Sequence, residues 1–409
     1  MNVTDTDWEI KQLWMAIDYY ERARETTFSR KEAEKFEETI KSLNQQQAFL
    51  RVQQEPHDQA QGYGMAPDAS GSPETPERRK VLFIQTAFLG DVVLATSGLE
   101  AWHRGHPEDE VHVLVRKPMD GLFEGHPWLA KVWAWDKRPR VKGKDWRRLI
   151  RGVRKERYDV VVNLHRHASS GILTALSMAP IRVGFSNNPL AWRFTHRIPH
   201  RWGDGTHETH RISALLEGFV EGEPCRPALH PLPQHIEEAR QVGAEGKVLI
   251  MPGSQWATKA WPEGQFTLAL DELNEPALLV GSPQEAPLCE RLAEGRPHVT
   301  NVAGQLSLLG LVAAVGMAKV VVVNDSAPMH IASAMDTPTV ALFVSTVPRF
   351  GFGPLATHQI ILEANEELSC RPCGMHGKRR CPEGHFRCGW QLPVADVLRA
   401  IAQLGQTTS

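Results

Sequence analysis

The sequence predicts an α/β protein of two doubly wound, parallel-sheet domains facing a cleft, preceded by a helical extension. Three observations carry this expectation. At 409 residues the chain exceeds what one ordinary core organises. Short, near-continuous apolar runs alternate with helical patterns, as strands buried on both faces of a parallel sheet do. The alternation breaks at the proline-rich stretch EPCRPALHPLP (223–233) and then restarts.

Taken in order, residues 1–54 are rich in Glu, Lys and Gln with intermittent Trp, Leu, Ile and Phe, and Ser29-Arg30-Lys31-Glu32 forms a capping box. They read as a helical hairpin. Residues 55–79 shift to Gly, Pro, Ser, Gln and Asp, too polar to offset chain entropy, and read as a flexible linker. The first α/β domain (80–232) opens with the strand KVLFIQ, the loop TAFLGD and a helix from Val92 through Trp102. EVHVLVR (110–116), a basic helix near 145–157, YDVVVNL (158–164) and the helix SGILTALSMA (170–179) continue it. In the second domain (233–390), KVLIMPG (247–253), PALLVGS (276–282) and KVVVVND (319–325) are strands, and residues 391–409 close the chain as a helix. Ligands are expected at the carboxyl ends of these strands.

Composition narrows the function. Hydrophobic residues at 42%, charged residues at 23% and a net charge of −2 describe an ordinary globular chain with no overall attraction to nucleic acid, so no nucleic-acid partner is expected. No apolar run reaches the roughly 18 residues of a spanning helix, and MNVTDTDWEIKQ is acidic where a signal peptide is basic, so a cytoplasmic location is expected. No G-x-G-x-x-G follows the best strands, which argues against a nicotinamide dehydrogenase, and no Walker A loop is present. HETHR (207–211) lacks the second histidine of a metalloprotease helix, since Arg211 stands there.

Three stretches carry candidate chemistry. PGSQWATKAWP (252–262) offers Gly253 for close backbone approach, Ser254 and Thr258 as hydroxyl donors, and Lys259 as a point charge, a set suited to an anion. Gly90-Asp91 lies where the first strand hands over to its helix; Asp91 is either an N-cap or a general base toward a hydroxyl, and the two are compatible. Asn324-Asp325-Ser326 ends a buried strand at a helix whose free N–H groups suit phosphate, although every such turn has that geometry. His330, one turn in, is either a packed histidine or a phosphate donor.

Two features are more ambiguous. Lys137 to Arg157 contains eleven Lys or Arg against Asp145 and Glu156, which reads as a solvated helix face or as a contact with phosphates of an anionic lipid surface or acceptor. Cys370, Cys373, Cys381 and Cys388 fall within 19 residues, with His376 and His385 among them. A structural zinc or iron site, free thiols and disulfides all remain open, and a catalytic role is not expected.

GDVVLATSGL, PGSQWATKAWP and NDSAPMHIASAMDTPTVALF followed by GFGP together resemble glycosyltransferase family 9, the ADP-heptose:lipopolysaccharide heptosyltransferases. The tail CPEGHFRC (381–388) is similar to heptosyltransferase II-type members. The resemblance runs from about Arg79 to the C-terminus. It implies the GT-B fold, two Rossmann-like domains with the acceptor in the first and an ADP-sugar donor in the second. It further implies Asp91 as catalytic base and Lys259 as the cation that neutralises the diphosphate leaving group. Ser254, Gln255, Thr258, Glu285, Asp325, Ser326, Ala327 and His330 are then donor-binding positions, with Glu285 toward the ribose. Arg166, Arg147 and Arg148 are acceptor-binding candidates. The implied reaction is a single inverting displacement onto a lipopolysaccharide-type acceptor at the inner face of the cytoplasmic membrane, with no catalytic metal, since no Asp-x-Asp triplet occurs from residue 80 onward. A protein acceptor or an inactive scaffold are the alternatives. Val344, in LFVST, departs from the glycine usual in the family.

Overall fold

Lys80–Gln85 forms the first strand because its five residues after the lysine are buried, with a parallel neighbour on each side. In the computed structural model, residues 78–137, 142–364 and 367–406 are described. The expected hairpin (1–54) and almost all of the expected linker lie outside the described residues. The first half runs β1 (Lys80–Gln85), α1 (Leu89–Gly105), β2 (Glu110–Arg116), β3 (Lys131–Trp135), α2 (Lys142–Glu156), β4 (Val160–Asn163), α3 (Ala168–Leu176), β5 (Ile181–Phe185), β6 (His196–Ile198) and α4 (Glu208–Leu215). Next come α5 (Pro233–Gln241), β7 (Val248–Met251), α6 (Glu263–Glu272), β8 (Ala277–Leu279), α7 (Ala286–Ala293), β9 (Val299–Asn301), α8 (Leu308–Met317), β10 (Val320–Asn324), α9 (Ala327–Met335), β11 (Thr339–Phe343), β12 (Gln359–Glu363), α10 (Arg387–Trp390) and α11 (Val394–Gly405).

The strands form two six-stranded parallel sheets, ordered β3-β2-β1-β4-β5-β6 and β12-β11-β10-β7-β8-β9. Renumbered within each half, both orders are the doubly wound 3-2-1-4-5-6, so each sheet reverses its winding once, between β1 and β4 and between β7 and β10. The predicted fold class is therefore the observed one: two Rossmann-like sheets in a GT-B arrangement. The sequence reading names six strands. The other six include all four edge strands (β3, β6, β9 and β12), which are partly exposed and break the apolar runs of the centre.

One apolar cluster continues through both halves, taking in Phe83, Val113 and Val162 from the first sheet and Leu249, Val321 and Ala341 from the second. Helix α1 packs against α9 across the two halves. A second tie comes from the GFGP motif. Glu208 N–H donates to Gly351 O at 2.8 Å and His207 Nε2 donates to Gly353 O at 3.0 Å, so the start of α4 is docked on this loop of the second half. Gly351 has φ of +91°, where glycine is favoured, and a Cβ there would collide with the Thr206 carbonyl oxygen and press on the Arg211 guanidinium. Gly351→Ala should cost about 2–3 kcal/mol. A fall of several degrees in the thermal midpoint is expected; an unchanged midpoint would mean the clasp tolerates a side chain.

Candidate active site

The two winding reversals place four loops together at the carboxyl ends of their strands. After β1 comes Phe88-Leu89-Gly90-Asp91, and after β4 come His165 and Arg166; after β7 comes PGSQWATKAWP, and after β10 come Asp325 and Ser326. Gly90 packs against the second half. A Cβ on it would lie 2.9 Å from His330 Cδ2 and 3.5 Å from Ala327 Cα, so a side chain there would push the His330 ring aside while the Ala327 backbone stays at ordinary contact distance.

Asp91 stands in the first turn of α1, at its third position. The N-cap is Phe88, whose backbone is extended at φ −80°, ψ 172°, and Asp91 Oδ2 accepts the Phe88 N–H at 3.3 Å. The N-cap alternative is thus corrected to the capping-box partner, because the helix begins at Leu89, three residues before the expected start. Burial pushes the Asp91 carboxyl up to about 6, and the Glu208 carboxylate adds to the rise, against the Phe88 amide and the Arg166 charge. A carboxylate with that pKa is mostly ionised at neutral pH, yet more basic than an exposed one.

Glu208 and Arg211, both inside HETHR, were not among the expected site residues. Glu208 Oε2 lies 3.0 Å from Arg211 Nη1 and 3.5 Å from His200 Nε2. Arg166 stacks on Trp202 at 4.5 Å, and Trp202 packs on Phe352 of the GFGP loop at 5.7 Å. Arg116, also unforeseen, stacks on the Phe88 ring at 4.6 Å and lies within the field of Asp91. Spacing alone could flag Glu208 only as part of a failed zinc motif; its role comes from α4 docking beside α1.

In the second half, Lys259 Nζ lies 2.7 Å from Asp325 Oδ2, which also accepts the Thr346 hydroxyl at 2.5 Å. Lysine and aspartate, predicted separately, are one ion pair with little solvent around it. Asn324 shapes the loop before it: its amide donates to the carbonyls of Pro252 at 3.0 Å and Gly253 at 3.2 Å, and its Oδ1 accepts Trp261 N–H at 2.9 Å. Glu285 sits against Gly253, where a Cβ would overlap its carboxylate, and accepts the Ser282 amide and hydroxyl at 2.7 and 2.8 Å. Ser254 is half-buried and Gln255 exposed on the same loop. Ser326 is the N-cap of α9, and Ala327 opens the helix.

Thr258 and His330 have narrower options than the sequence suggests. The Thr258 hydroxyl is buried and committed to Ser345 Oγ, 3.1 Å, and to the Lys378 backbone amide, 2.7 Å, which fastens the cysteine-rich segment. Burial, with the His207 and Lys259 charges, pushes the His330 imidazole down to about 3, so it is neutral at physiological pH. Its Nδ1 is buried and meets no hydrogen-bond partner among the described residues.

Other candidates lie elsewhere. Arg147 and Arg148 are exposed on α2, as a solvated face would be. The four clustered cysteines are free, and Cys388 is buried. A tetrahedral metal needs its donor atoms about 3.3–3.9 Å apart. Among the described residues the metal-capable sets within 4.8 Å are Glu100-His126-His230 and Glu110-His112-Glu156, neither of which includes a cysteine. Burial, together with the neighbouring Cys381, Cys370 and Cys373, pushes the Cys388 thiol up to about 11, so the four cysteines gather in one place; Arg371, beside Cys370, anchors the segment by donating to the carbonyls of Val344 and Thr346 at 2.7 and 2.8 Å. Val344 is fully buried in the second core cluster.

A model of glycosyltransferase family 9 (heptosyltransferase) matches residues 146–383, more than half of the chain. The chain belongs to this family. It is a transferase enzyme. It is similar to lipopolysaccharide heptosyltransferase 1 of Pseudomonas aeruginosa, 26% identical over 318 residues that cover 72% of this chain and 86% of the relative. Its fold is similar to that of a glycosyl transferase family 9 protein from Veillonella parvula, with TM-score 0.69, 21% identity and coverage of 80% and 97% of the two chains. The ADP-heptose heptosyltransferase II of Escherichia coli is similar at TM-score 0.67, 18% identity and coverage of 80% and 99%. Among the described residues no helix is long and apolar enough to cross a membrane.

The Lys259–Asp325 pair gives a direct test of this geometry. Lys259→Met leaves a largely buried carboxylate without its cation and should destabilise the protein by about 2–4 kcal/mol. Adding Asp325→Asn should restore part of that loss in denaturant unfolding. Strictly additive losses would show that the two side chains do not interact.

Proposed function

We propose that this enzyme transfers heptose from ADP-heptose to an inner-core lipopolysaccharide acceptor by one inverting displacement. Support comes from the heptosyltransferase relatives and, above all, from Asp91, a carboxylate raised to about 6 directly across from the α9 N-terminus. Asp91 takes the proton of the acceptor hydroxyl as its oxygen attacks the anomeric carbon. The bond from that carbon to the diphosphate breaks on the opposite face, and ADP leaves. Negative charge then grows on the diphosphate, where Lys259 and the positive end of the α9 dipole stand preorganised. Asp325 holds Lys259 in place before the donor arrives. Positive charge for the leaving group is thus supplied by the chain itself, and no step calls for a metal.

Donor contacts are assigned to Ser254, Gln255, Glu285, Ser326 and Ala327, with neutral His330 able to donate one hydrogen bond. Thr258 supports the loop from behind. Arg166, with Arg116, lies on the acceptor side of Asp91 and suits an acidic acceptor. Such an acceptor would be met at the inner face of the cytoplasmic membrane, by a protein bound peripherally.

Asp91→Asn should lower transfer by at least ~1000-fold while leaving ADP-heptose affinity within about threefold. Unchanged turnover would remove Asp91 from the mechanism. In the wild type, kcat/KM should rise with pH along a limb near 6, because the base works only when deprotonated. Glu208→Gln should move that limb to lower pH, since it removes a negative neighbour that holds the proton on Asp91. ADP release should depend on a lipid-linked inner-core acceptor. Release with polypeptide acceptors alone would replace the lipid reading, and tight ADP-heptose binding with no release on any acceptor would make the chain a binding scaffold.

A further inference from the structure

We propose that Glu100, His126 and His230 form a binding site for a divalent transition-metal cation of the zinc class at the hinge between the two halves. The three donors come from separate parts of the chain: Glu100 from the middle of α1, His126 from the turn between β2 and β3, and His230 from the proline-rich connection (223–233). One donor atom from each lies within 4.8 Å of the others. Glu100 Oε1 and His230 Nε2 are 3.3 Å apart. That is about the edge of a tetrahedron with metal–ligand bonds near 2.0–2.1 Å, so this pair already has a metal-ready separation.

The third ligand has an unmet need. The His126 ring stands across His230 at 4.6 Å and 79°, and its Nε2 is sealed from solvent with no hydrogen-bond partner among the described residues. Its Nδ1 is 3.4 Å from Leu129 N–H, a contact long enough to be given up when the ring proton sits on Nδ1 and leaves Nε2 to bind the cation. A buried polar nitrogen left in this way costs about 1–3 kcal/mol, which a cation would offset. Two imidazoles and one carboxylate suit zinc-class metals rather than calcium or magnesium, which prefer all-oxygen sets. Three protein donors also leave a fourth position for water.

The other metal-capable set makes an instructive contrast. Around Glu110, His112 and Glu156, Lys131 Nζ lies 2.6 Å and Lys80 Nζ 3.0 Å from Glu156, so that negative charge is already matched. Glu100 has no lysine or arginine ion pair among the described residues. The hinge itself is pinned to the same helix: Ala228 N–H donates to Thr96 Oγ1 at 3.0 Å, and Leu232 lies over Gly125. Glu100 is nine residues beyond Asp91, about 13 Å along the helix. A cation there would therefore tie hinge, turn and α1 without touching the reacting groups, and the inference is independent of transferase chemistry.

Chelator-treated full-length protein titrated with Co2+ tests this. One equivalent should bind with visible d–d absorption and no intense near-ultraviolet thiolate band, which separates this site from the cysteines. His230→Gln and Glu100→Gln, checked for native fold by circular dichroism, should each weaken Co2+ binding at least ~100-fold, and Zn2+ should slow amide exchange across residues 223–233 in the wild type. Failure of the wild type to bind micromolar Co2+, a thiolate band accounting for all the bound metal, or variants that titrate like wild type would each overturn the site.

Discussion

The close crossing of α1 and α9 at Gly90 is the contact on which the rest of the site depends. Each helix starts at a winding reversal of its own sheet, so each N-terminus already points into the cleft. The missing side chain at Gly90 leaves room there for the His330 ring. Asp91 is the next residue and Ser326 the one before Ala327. The Asp91 carboxyl and the N-terminus of α9 thus become neighbours across the cleft.

The two aspartates of the cleft illustrate how surroundings divide one chemistry into two roles. Asp91 is desolvated beside another carboxylate, so its proton affinity rises toward the working pH. Asp325 is also enclosed, but an ammonium group 2.7 Å away and a threonine hydroxyl satisfy it. Sequence types alone do not distinguish them. The distinction arises from Glu208, which α4 delivers beside Asp91, and from Lys259, which the loop after β7 delivers to Asp325.

The central strands were legible because they are buried on both faces and therefore read as unbroken apolar runs: β1, β2 and β4 in one sheet, β7, β8 and β10 in the other. Edge strands such as HRI (196–198) and VTN (299–301) bury only part of their surface and carry polar residues that mask the pattern. The candidate site's placement was legible where one contiguous motif carries both a strand-end loop and its polar side chains, as in Gly90-Asp91 and in PGSQWATKAWP. It was illegible where function needs a tertiary neighbour. Thr258 looked like a ligand donor because nothing in the sequence announces Lys378 as its partner. Glu208 looked like a relic of a zinc motif because its relation to Asp91 exists only after α4 has docked.

Docking of the halves also constrains how substrates reach the cleft. The apolar cluster runs through both sheets without interruption, and the GFGP loop clasps α4 by two main-chain acceptors. Wide separation of the halves would expose residues that are now fully buried, at about 25 cal/mol for each Å². Small shear of α1 against α9 costs far less, since the contact rests on small residues around Gly90 and Ala327. The exposed part of the loop after β7, where Gln255 projects into solvent, can therefore move at lower cost than the whole molecule can open. Asn324 fixes both ends of that loop to β10, so its tip can move while Lys259 and Asp325 keep their register.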